Sequence, residues 1–266
     1  MQVSLVTPSF NQCHFLERTL KSVLSQQQVD LQYIVCDGAS TDGSPALLET
    51  YRSQIDHLLI EPDDGQADAL CKGFKLVTGE ILGYLNSDDC LLPGTLAYVV
   101  DFFAKNPDVD LIYGHRIFVD ESDRVTGFWI LPPHSDYCMS RWDFIPQETC
   151  FWRSSLMDKS GGIDSSYQFA MDYDLFVRMM RVAKVRRVNR FLALFREHSD
   201  SKTTTLFETL GQSEVERVRC RYALSICWYD KFLAHLFGQL ILKTSLLFKR
   251  CFLRRVARRY GYAPAE

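Results

Sequence analysis

Leu85-Asn86-Ser87-Asp88-Asp89 follows directly on the run Glu80-Ile81-Leu82-Gly83-Tyr84, and this junction decides the fold. The apolar run predicts a buried strand, whose end would hold two adjacent carboxylates at the carboxyl edge of a sheet. Oxygen ligands at such an edge suit Mg²⁺ or Mn²⁺, and a divalent ion there would neutralise a diphosphate. Adjacent aspartates are also common in surface turns, so the surrounding sequence must decide between the two interpretations.

The first hundred or so residues alternate strand and helix signals around this junction. Apolar runs at Val3–Val6, Leu31–Val35 and His57–Ile60 predict strands, and the stretches between them carry apolar residues at helical spacing. This alternation predicts an α/β fold with a Rossmann-like, mostly parallel sheet and helices on both faces. Ligands bind such sheets at the carboxyl edge. Three polar clusters fall at the predicted strand ends: Thr7-Pro8-Ser9, Asp37-Gly38 and Asn86 to Asp89.

The pattern changes after Pro107. Leu111–Val119 and Val125–Leu131 are rich in β-branched and aromatic residues around a turn-like segment, which predicts a small antiparallel ribbon. From about Leu206 to the end the chain reads as helical, so residues 206–266 are predicted to form a C-terminal helical extension.

Composition favours a globular enzyme. The 266 residues are 47% hydrophobic, enough for a sizeable core, and a net charge of -3 gives no argument for nucleic-acid binding. The nine cysteines are scattered and odd in number, with no C-x-x-C pair, so we expect reduced thiols rather than disulfides or a zinc site. Neither a signal-peptide pattern nor an apolar run of roughly 18 residues occurs, which predicts a cytoplasmic protein.

Several short motifs follow one another along the first 205 residues: Val6-Thr7-Pro8-Ser9-Phe10-Asn11, Asp37-Gly38-Ala39-Ser40-Thr41-Asp42-Gly43-Ser44, Gly65-Gln66-Ala67-Asp68-Ala69, Asn86-Ser87-Asp88-Asp89, Met171-Asp172-Tyr173-Asp174, and Arg196-Glu197-His198 before Ser201-Lys202-Thr203. Each is weak alone, but in this order they resemble the family 2 glycosyltransferases with the GT-A fold. The resemblance implies a catalytic domain over 1–205, with a nucleotide-binding half (about 1–106) and an acceptor half (about 107–205).

The implied activity is that of a metal-dependent, inverting glycosyltransferase, with Mn²⁺ or Mg²⁺ as cofactor. It would move a sugar from a nucleotide-diphosphate donor, a UDP-sugar being favoured, to a glycan or lipid-linked acceptor in cell-surface polysaccharide biosynthesis. One alternative is a sugar nucleotidyltransferase, although the Gly-rich, Arg-containing loop of that class is missing near the first strand. Another is a non-catalytic sugar-binding module, which would not need Asp89, His198 and Asp172 together.

On this resemblance, the ends of the first two strands bind the nucleotide. Asp37 matches the family's base-reading aspartate, whose carboxylate can accept the imino proton of a uracil-like ring; the alternative is that it starts an Asx turn. Thr7, Pro8 and Ser9 would contact the nucleoside. Asp68 would lie at the nucleotide-side helix start, or else be a solvated first-turn carboxylate favoured by the helix dipole.

The acidic motif departs from the commonest family form, because Asn86 stands where many members carry an aspartate. We assign Asp89 as the metal ligand and Asp88 to ribose or metal contact, with Ser87 and Asn86 in the same nucleotide loop. His198 resembles the late family histidine that can complete the coordination, although a lone histidine is usually structural.

Asp172 is the candidate general base, at the position of the family's proton-accepting carboxylate. Asp174 is the competitor and is more typical of a helix cap. A base at Asp172 implies a single displacement that inverts the anomeric centre without a covalent intermediate. Gln147 and Trp152 are the candidate acceptor contacts, since amide and aromatic groups suit a sugar ring; aromatic residues near a loop are more often packing residues.

The C-terminal extension interleaves apolar and basic side chains. Such a helix can lie on an anionic membrane surface, which would make the protein peripheral on the inner face of the plasma membrane. The alternative is a helix packed on the catalytic domain or on a second copy in a homo-oligomer. The residues concerned are Phe232, Leu233, Leu236, Phe237, Leu240, Ile241, Leu247 and Phe248 with Lys243, Lys249, Arg250, Arg254, Arg255, Arg258 and Arg259.

Overall fold

The computed structural model describes residues 1–139, 144–199, 201, 207–222, 224, 229–230, 232–233, 255 and 259–262. The strands in this part of the chain are β1 (Gln2–Ser9), β2 (Asp30–Asp37), β3 (His57–Ile60), β4 (Ile81–Tyr84), β5 (Cys90–Leu91), β6 (Leu111–Val119), β7 (Val125–Trp129), β8 (Phe151–Arg153) and β9 (Val185–Arg196). They form one sheet in the order β3-β2-β1-β4-β8-β6-β9-β5, with β7 paired to β6.

The helices of the described residues pack around this sheet. They are α1 (Cys13–Leu24), α2 (Ser44–Tyr51), α3 (Gln66–Phe74), α4 (Thr95–Lys105), α5 (Asp136–Met139), α6 (Ser154–Ser160), α7 (Met171–Met180) and α8 (Gln212–Arg221). Short 3₁₀ turns lie at Arg52–Gln54 and Gln147–Thr149, and a π-helical turn at Phe207–Gly211 leads into α8.

The first half of the sheet is parallel, as the sequence predicts. β1 pairs in parallel with β2 and with β4, and β2 pairs in parallel with β3. The register sets Ser9 opposite Asp37, and Asp37 opposite Ile60. The polar residues that follow these strands therefore meet at one edge of the sheet.

Both faces of the parallel half are covered by helices, which explains why β1, β2 and β4 are buried along almost their whole length. Neighbouring strand residues point to opposite layers, because side chains alternate along a strand. Tyr33 and Val35 pack with helices α1, α2 and α4, whereas Ile34 and Cys36 pack in the layer that contains α3, α6 and α7.

The second half of the sheet is mixed. β8 pairs antiparallel with β4 and with β6, and β6 pairs in parallel with β9. The predicted ribbon is confirmed as β6 paired antiparallel with β7. The loop between β6 and β7 lies near the turn at Asn86–Asp89, because Arg196 at the end of β9 donates to the carbonyls of both Asp88 and Asp120.

The last described helix, α8, packs against α7 rather than standing apart from the catalytic half. Val218 is fully buried in the core, and the Tyr222 hydroxyl donates to Asp174 on α7 at 2.9 Å. These contacts cross the boundary that the sequence suggests near residue 205. Most of the predicted basic tail, including 234–254, lies outside the described residues. No helix in the described ranges is long and apolar enough to cross a membrane.

Candidate functional site

Two connected cavities lie at the carboxyl edge of the sheet. The first, called here the strand-end pocket, has a volume of about 410 Å³ and is lined by Pro8, Ser9, Phe10, Gln12, Asp63, Gly65, Gln66, Ala69, Asn86, Ser87, Asp88, Gln168, Phe195 and Ser201. The second, called the side cleft, has a volume of about 800 Å³ and is lined by Gln66, Tyr84, Asn86, Arg116, Phe118, Trp129, Ile145, Gln147, Glu148, Phe169, Met171, Asp172, Phe195, Glu197, Gln212, Val215, Glu216 and Arg219.

Three residues line both cavities and so mark their junction: Gln66, Asn86 and Phe195. The Gln66 side-chain amide donates to Asn86 Oδ1 at 2.6 Å, which fixes the uncharged residue of the acidic motif at the junction. A molecule in the pocket and a molecule in the cleft would meet here.

The acidic motif forms a tight turn that sends its two carboxylates in different directions. The Asp89 N–H donates to the Asn86 carbonyl at 3.2 Å and closes the turn. Asp88 lines the strand-end pocket, and its Oδ2 lies 3.0 Å from Nε2 of His198. The backbone of the motif therefore forms a turn, but the turn is largely buried and one of its two carboxylates faces a cavity.

The side chain of Asp89 lies outside both cavities. The residue is 2% exposed and lines neither cavity, and its Oδ1 accepts the backbone N–H of Arg196 at 3.0 Å. Burial, and then the neighbouring Asp88 carboxylate, raise the pKa of Asp89 well above its ordinary value. The structure therefore gives the pocket-facing place to Asp88, and Asp89 holds the β9 end against the turn.

Asp88 and His198 form a donor set that fits a divalent cation. A carboxylate oxygen and an imidazole nitrogen are both ligands of Mn²⁺, and oxygen ligands suit Mg²⁺. The His198 ring packs on Phe15 with centroids 4.7 Å apart, which fixes its orientation. Within the described ranges no group of three or more His, Cys, Asp and Glu side chains could hold a metal by itself. A cation here would need further oxygens, such as those of a diphosphate or water.

The carboxylate of Asp37 bonds within its own loop, to the residue three positions on rather than two as in an Asx turn. It is buried, and its two oxygens accept the Ser40 N–H and the Ser40 hydroxyl, each at 2.8 Å. It does not line the strand-end pocket, whereas Asp63, which follows β3, does. Burial raises the pKa of Asp63, and a Cβ atom on Gly38 would stand 2.7 Å from its Oδ2. Gly38 is thus the residue that leaves room for this carboxylate.

Sequence reasoning missed Asp63, although the rule that found the other strand ends applies to it. The segment Glu61-Pro62-Asp63-Asp64-Gly65 directly follows the third parallel strand. Asp63 Oδ1 accepts the Gly65 N–H at 2.9 Å, an Asx turn that leads into α3.

The end of β1 contributes to the pocket through two of its three predicted residues. Pro8 and Ser9 line the pocket, and the buried Ser9 hydroxyl has no hydrogen-bond partner within the described residues. Thr7 is buried beneath them and accepts the Tyr33 hydroxyl at 3.0 Å. Thr7 therefore supports the strand end and is not brought into the pocket.

Of the remaining residues predicted to bind the nucleotide, Ser87 lies in the strand-end pocket and Asp68 lies outside it. Ser87 lines the pocket, and its carbonyl accepts the Thr19 hydroxyl at 2.8 Å. Asp68 lies in the first turn of α3, outside the pocket, where it pairs with Lys72 at 3.3 Å. Asp68 is thus a partly exposed first-turn carboxylate held by an ion pair, and the structure does not bring it into the pocket. Lys202 and Thr203 of the last motif lie outside the described residues.

Asp172 and Asp174 occupy the first turn of α7 but face different surroundings. Asp172 lines the side cleft, and its Oδ1 accepts the Tyr173 N–H at 2.8 Å. Asp174 is 0% exposed, lies 2.6 Å from Arg178 Nη2 and accepts the Tyr222 hydroxyl. Of the two carboxylates, the cleft therefore receives Asp172.

The predicted acceptor contacts are separated by the structure. Gln147 lines the side cleft and donates to the Tyr84 carbonyl at 2.6 Å. Trp152 is 0% exposed on the core strand β8, its ring 6.0 Å from that of Phe74, and it does not reach the cleft. The tryptophan that lines the cleft is Trp129, on β7.

A partly buried ion pair stabilises the wall of the side cleft. Arg116 donates to both oxygens of Glu148, at 2.7 and 2.6 Å. Its guanidinium lies 4.4 Å from the Phe195 ring centroid and 5.4 Å from that of Trp129. The bidentate pair and these stacking contacts order the aromatic side chains of the wall.

Residues 4–161 match the model of the family described as Glycosyl transferase family 2. The chain belongs to this family and is a glycosyltransferase. An uncharacterized glycosyltransferase of Mycobacterium tuberculosis H37Rv is 29% identical over 188 residues, which are 68% of this chain and 70% of the relative.

Two solved structures are similar in fold. The first 349 residues of Staphylococcus aureus TarS, in complex with UDP-GlcNAc, superpose with a TM-score of 0.65 at 16% identity, covering 77% of this chain and 61% of the other. The mannosyltransferase PcManGT of Pyrobaculum calidifontis, in complex with GDP-Man and Mn²⁺, gives 0.64 at 17% identity, covering 85% and 65%. This chain thus spans less than two thirds of either. These likenesses confirm the predicted GT-A fold.

Proposed function

We propose that this protein is a metal-dependent, inverting glycosyltransferase that moves a sugar from a nucleotide-diphosphate donor to a hydroxyl of a glycan or lipid-linked acceptor. One observation carries the proposal. The strand-end pocket, lined by Asp88, whose carboxylate contacts the buried His198 behind it, opens at Asn86 into a cleft that holds the carboxylate of Asp172.

The strand-end pocket would take the nucleotide, and we favour a UDP-sugar. Its polar lining includes the buried Ser9 hydroxyl and the Asp63 carboxylate, which can accept a hydrogen bond from a ribose hydroxyl or from the imino N–H of uracil. Asp37 would act from behind, by ordering the loop after β2 through Ser40.

Asp88 and His198 would hold Mn²⁺ or Mg²⁺ at the diphosphate. When bound, the cation neutralises negative charge on the diphosphate and stabilises it as a leaving group. The carboxylate of Asp89 fixes the backbone of Arg196, and so keeps the acidic turn beside the end of β9. Asp89 would therefore support the site rather than contact the cation.

The reaction is a single displacement at the junction of the two cavities. The acceptor hydroxyl oxygen forms a bond to the anomeric carbon, the bond from that carbon to the diphosphate breaks, and its electron pair leaves with the diphosphate. Asp172 takes the hydroxyl proton as general base. In a single displacement the hydroxyl attacks the face opposite the leaving diphosphate, so an acceptor in the side cleft and a diphosphate in the strand-end pocket would give inversion of configuration.

The side cleft suits a sugar ring of the acceptor. Trp129 and Phe169 offer aromatic faces, and Gln147 and Glu197 supply polar groups along the same wall. A cleft of about 800 Å³ has room for more than one ring. We therefore favour a glycan acceptor in cell-surface polysaccharide biosynthesis, free or lipid-linked; association with an anionic membrane surface through the C-terminal tail stays a prediction.

A panel of nucleotide sugars tests the proposal. Each donor is incubated with the protein, Mn²⁺ and mixed oligosaccharide acceptors, and release of nucleoside diphosphate is measured together with the anomeric configuration of the product. We expect one donor to be consumed with inversion. The assay is repeated with Asp88→Asn, which removes the proposed metal-binding carboxylate. The matched control is Asp101→Asn, which removes an exposed carboxylate paired with Lys105. A product that retains the donor configuration would contradict the proposal.

A further inference from the structure

Glu214 on α8 is a buried carboxylate with no role in the chemistry described above. The residue is 6% exposed. Its two oxygens accept three consecutive backbone N–H groups from another part of the chain, those of Gln168 (2.9 Å), Phe169 (2.7 Å) and Ala170 (2.9 Å). Hydrogen bonds to an ionised carboxylate are roughly twice as strong as neutral ones, so this segment is held firmly.

The bonded segment leads directly into the first turn of α7. Ala170 is the N-cap residue, and α7 has no side-chain cap of its own. Alanine cannot accept the N–H groups at a helix start, and a carboxylate placed there also interacts favourably with the helix dipole. Glu214, from a helix more than forty residues further along the chain, accepts the N–H of the N-cap residue Ala170 and of the two residues before it, and so places a carboxylate at this helix start.

The same segment carries residues of both cavities. Gln168 lines the strand-end pocket, Phe169 lines the side cleft, and Asp172 follows two residues after Ala170. The position of Glu214 is itself set by packing, because α8 is anchored by Val218 in the core and by Tyr222 on α7. A displacement of segment 168–170 would therefore move the carboxylate of Asp172 relative to the junction.

We infer that Glu214 is the positioning residue of the general base: through the three N–H groups it holds the start of α7 so that Asp172 faces the acceptor hydroxyl. The inference rests on the proposed role of Asp172. It makes α8, which lies outside the family-matched range 4–161, a part of the catalytic machinery.

The test is a double-mutant cycle between Glu214 and Asp172. Glu214→Gln places an amide NH₂ against backbone N–H groups that need acceptors, whereas Glu214→Asp keeps the charge. We expect E214Q to lower kcat about 10²-fold, the cost of a misplacement near 1 Å. E214D should recover part of this loss. In the Asp172→Asn background, E214Q should lower the residual rate no further, because the group it positions is absent.

The readouts separate positioning from a general effect on folding. Melting temperature and nucleotide affinity are measured for every variant. Glu208→Gln, which removes an exposed carboxylate from the π-helical turn just before α8, is the control for loss of charge. If E214Q does not fold, E214D carries the cycle, and its smaller kcat loss should also vanish beside D172N. Equal kcat losses with and without Asp172 would overturn the inference, as would unchanged kcat in E214Q. Full transfer by D172N would instead refute the proposed base itself.

Discussion

Replacing the two aspartates of the α7 first turn separately should separate catalysis from stability. Asp172→Asn keeps an oxygen that can accept the Tyr173 N–H, so the helix start is preserved. It removes the charge needed to take a proton from the acceptor. We expect kcat to fall about 10² to 10⁴-fold, or roughly 3 to 5 kcal/mol of transition-state stabilisation, with donor affinity and melting temperature unchanged.

Asp174→Asn should show the opposite pattern. Its carboxylate is fully buried and holds Arg178 and the Tyr222 hydroxyl. Removing one partner of a buried ion pair costs about 3 to 5 kcal/mol. At about 2 to 4 °C per kcal/mol for a chain of this size, the melting temperature should fall by roughly 6 to 20 °C. Calorimetry and initial rates at 15 °C measure both effects. If folded D174N loses more kcat than D172N, the assignment of the base is incorrect.

Four further substitutions test other parts of the structure. Trp129→Ala should raise the acceptor KM about tenfold, the equivalent of one aromatic contact, while Trp152→Ala should instead lower stability by about 3 to 5 kcal/mol; acceptor titrations and denaturant melts distinguish them. Gly38→Ala should push the Asp63 carboxylate out of place and weaken nucleotide binding without unfolding the protein, measured by calorimetric titration. Asp164→Asn should lower stability by less than about 1 kcal/mol, because the ion pair is partly exposed. Burial raises the pKa of Asp164, but its hydrogen bonds, foremost to the Arg221 side chain, outweigh burial and lower that pKa to about 2. The difference in free energy of unfolding between wild type and variant should therefore be full above about pH 4 and vanish as the pH falls through about 2. Equal differences in this free energy at pH 2 and pH 7 would contradict the assignment.

The strand-end rule accounts for much of what the sequence could predict. Parallel strands bring their carboxyl ends to one edge, so Pro8, Ser9, Ser87 and Asp88 reach the pocket as expected. The rule finds the loops, and it would have found Asp63 as well. It does not say which side chain of a loop faces the ligand.

Local hydrogen bonding decided that second question. Asp37 is followed three residues later by Ser40, whose N–H and hydroxyl occupy its carboxylate. Asp88 and Asp89 are equivalent by type and adjacent in sequence, and only the turn closed on Asn86 directs one to the pocket and the other to the backbone of Arg196. Spacing alone carries no information on either choice.

Tertiary contacts explain the rest. Trp152 lies on a strand of three residues whose neighbours, β4 and β6, are distant in sequence, so its burial could not be read from local pattern. Glu214 bonds to a segment more than forty residues away. Helix α8, which the sequence assigns to a separate extension, also lines the side cleft through Gln212, Val215, Glu216 and Arg219.

Titration of nucleoside diphosphate with and without divalent cation tests the central claim most directly. UDP is titrated calorimetrically into the wild-type protein, Asp88→Asn and the control Asp101→Asn, each with Mn²⁺ and with chelator. If Asp88 and His198 hold the cation at the diphosphate, wild type and D101N should bind UDP more tightly with Mn²⁺, and D88N should show no such difference. Equal affinity of the wild type in Mn²⁺ and in chelator, or an undiminished response to Mn²⁺ in D88N, would contradict the account.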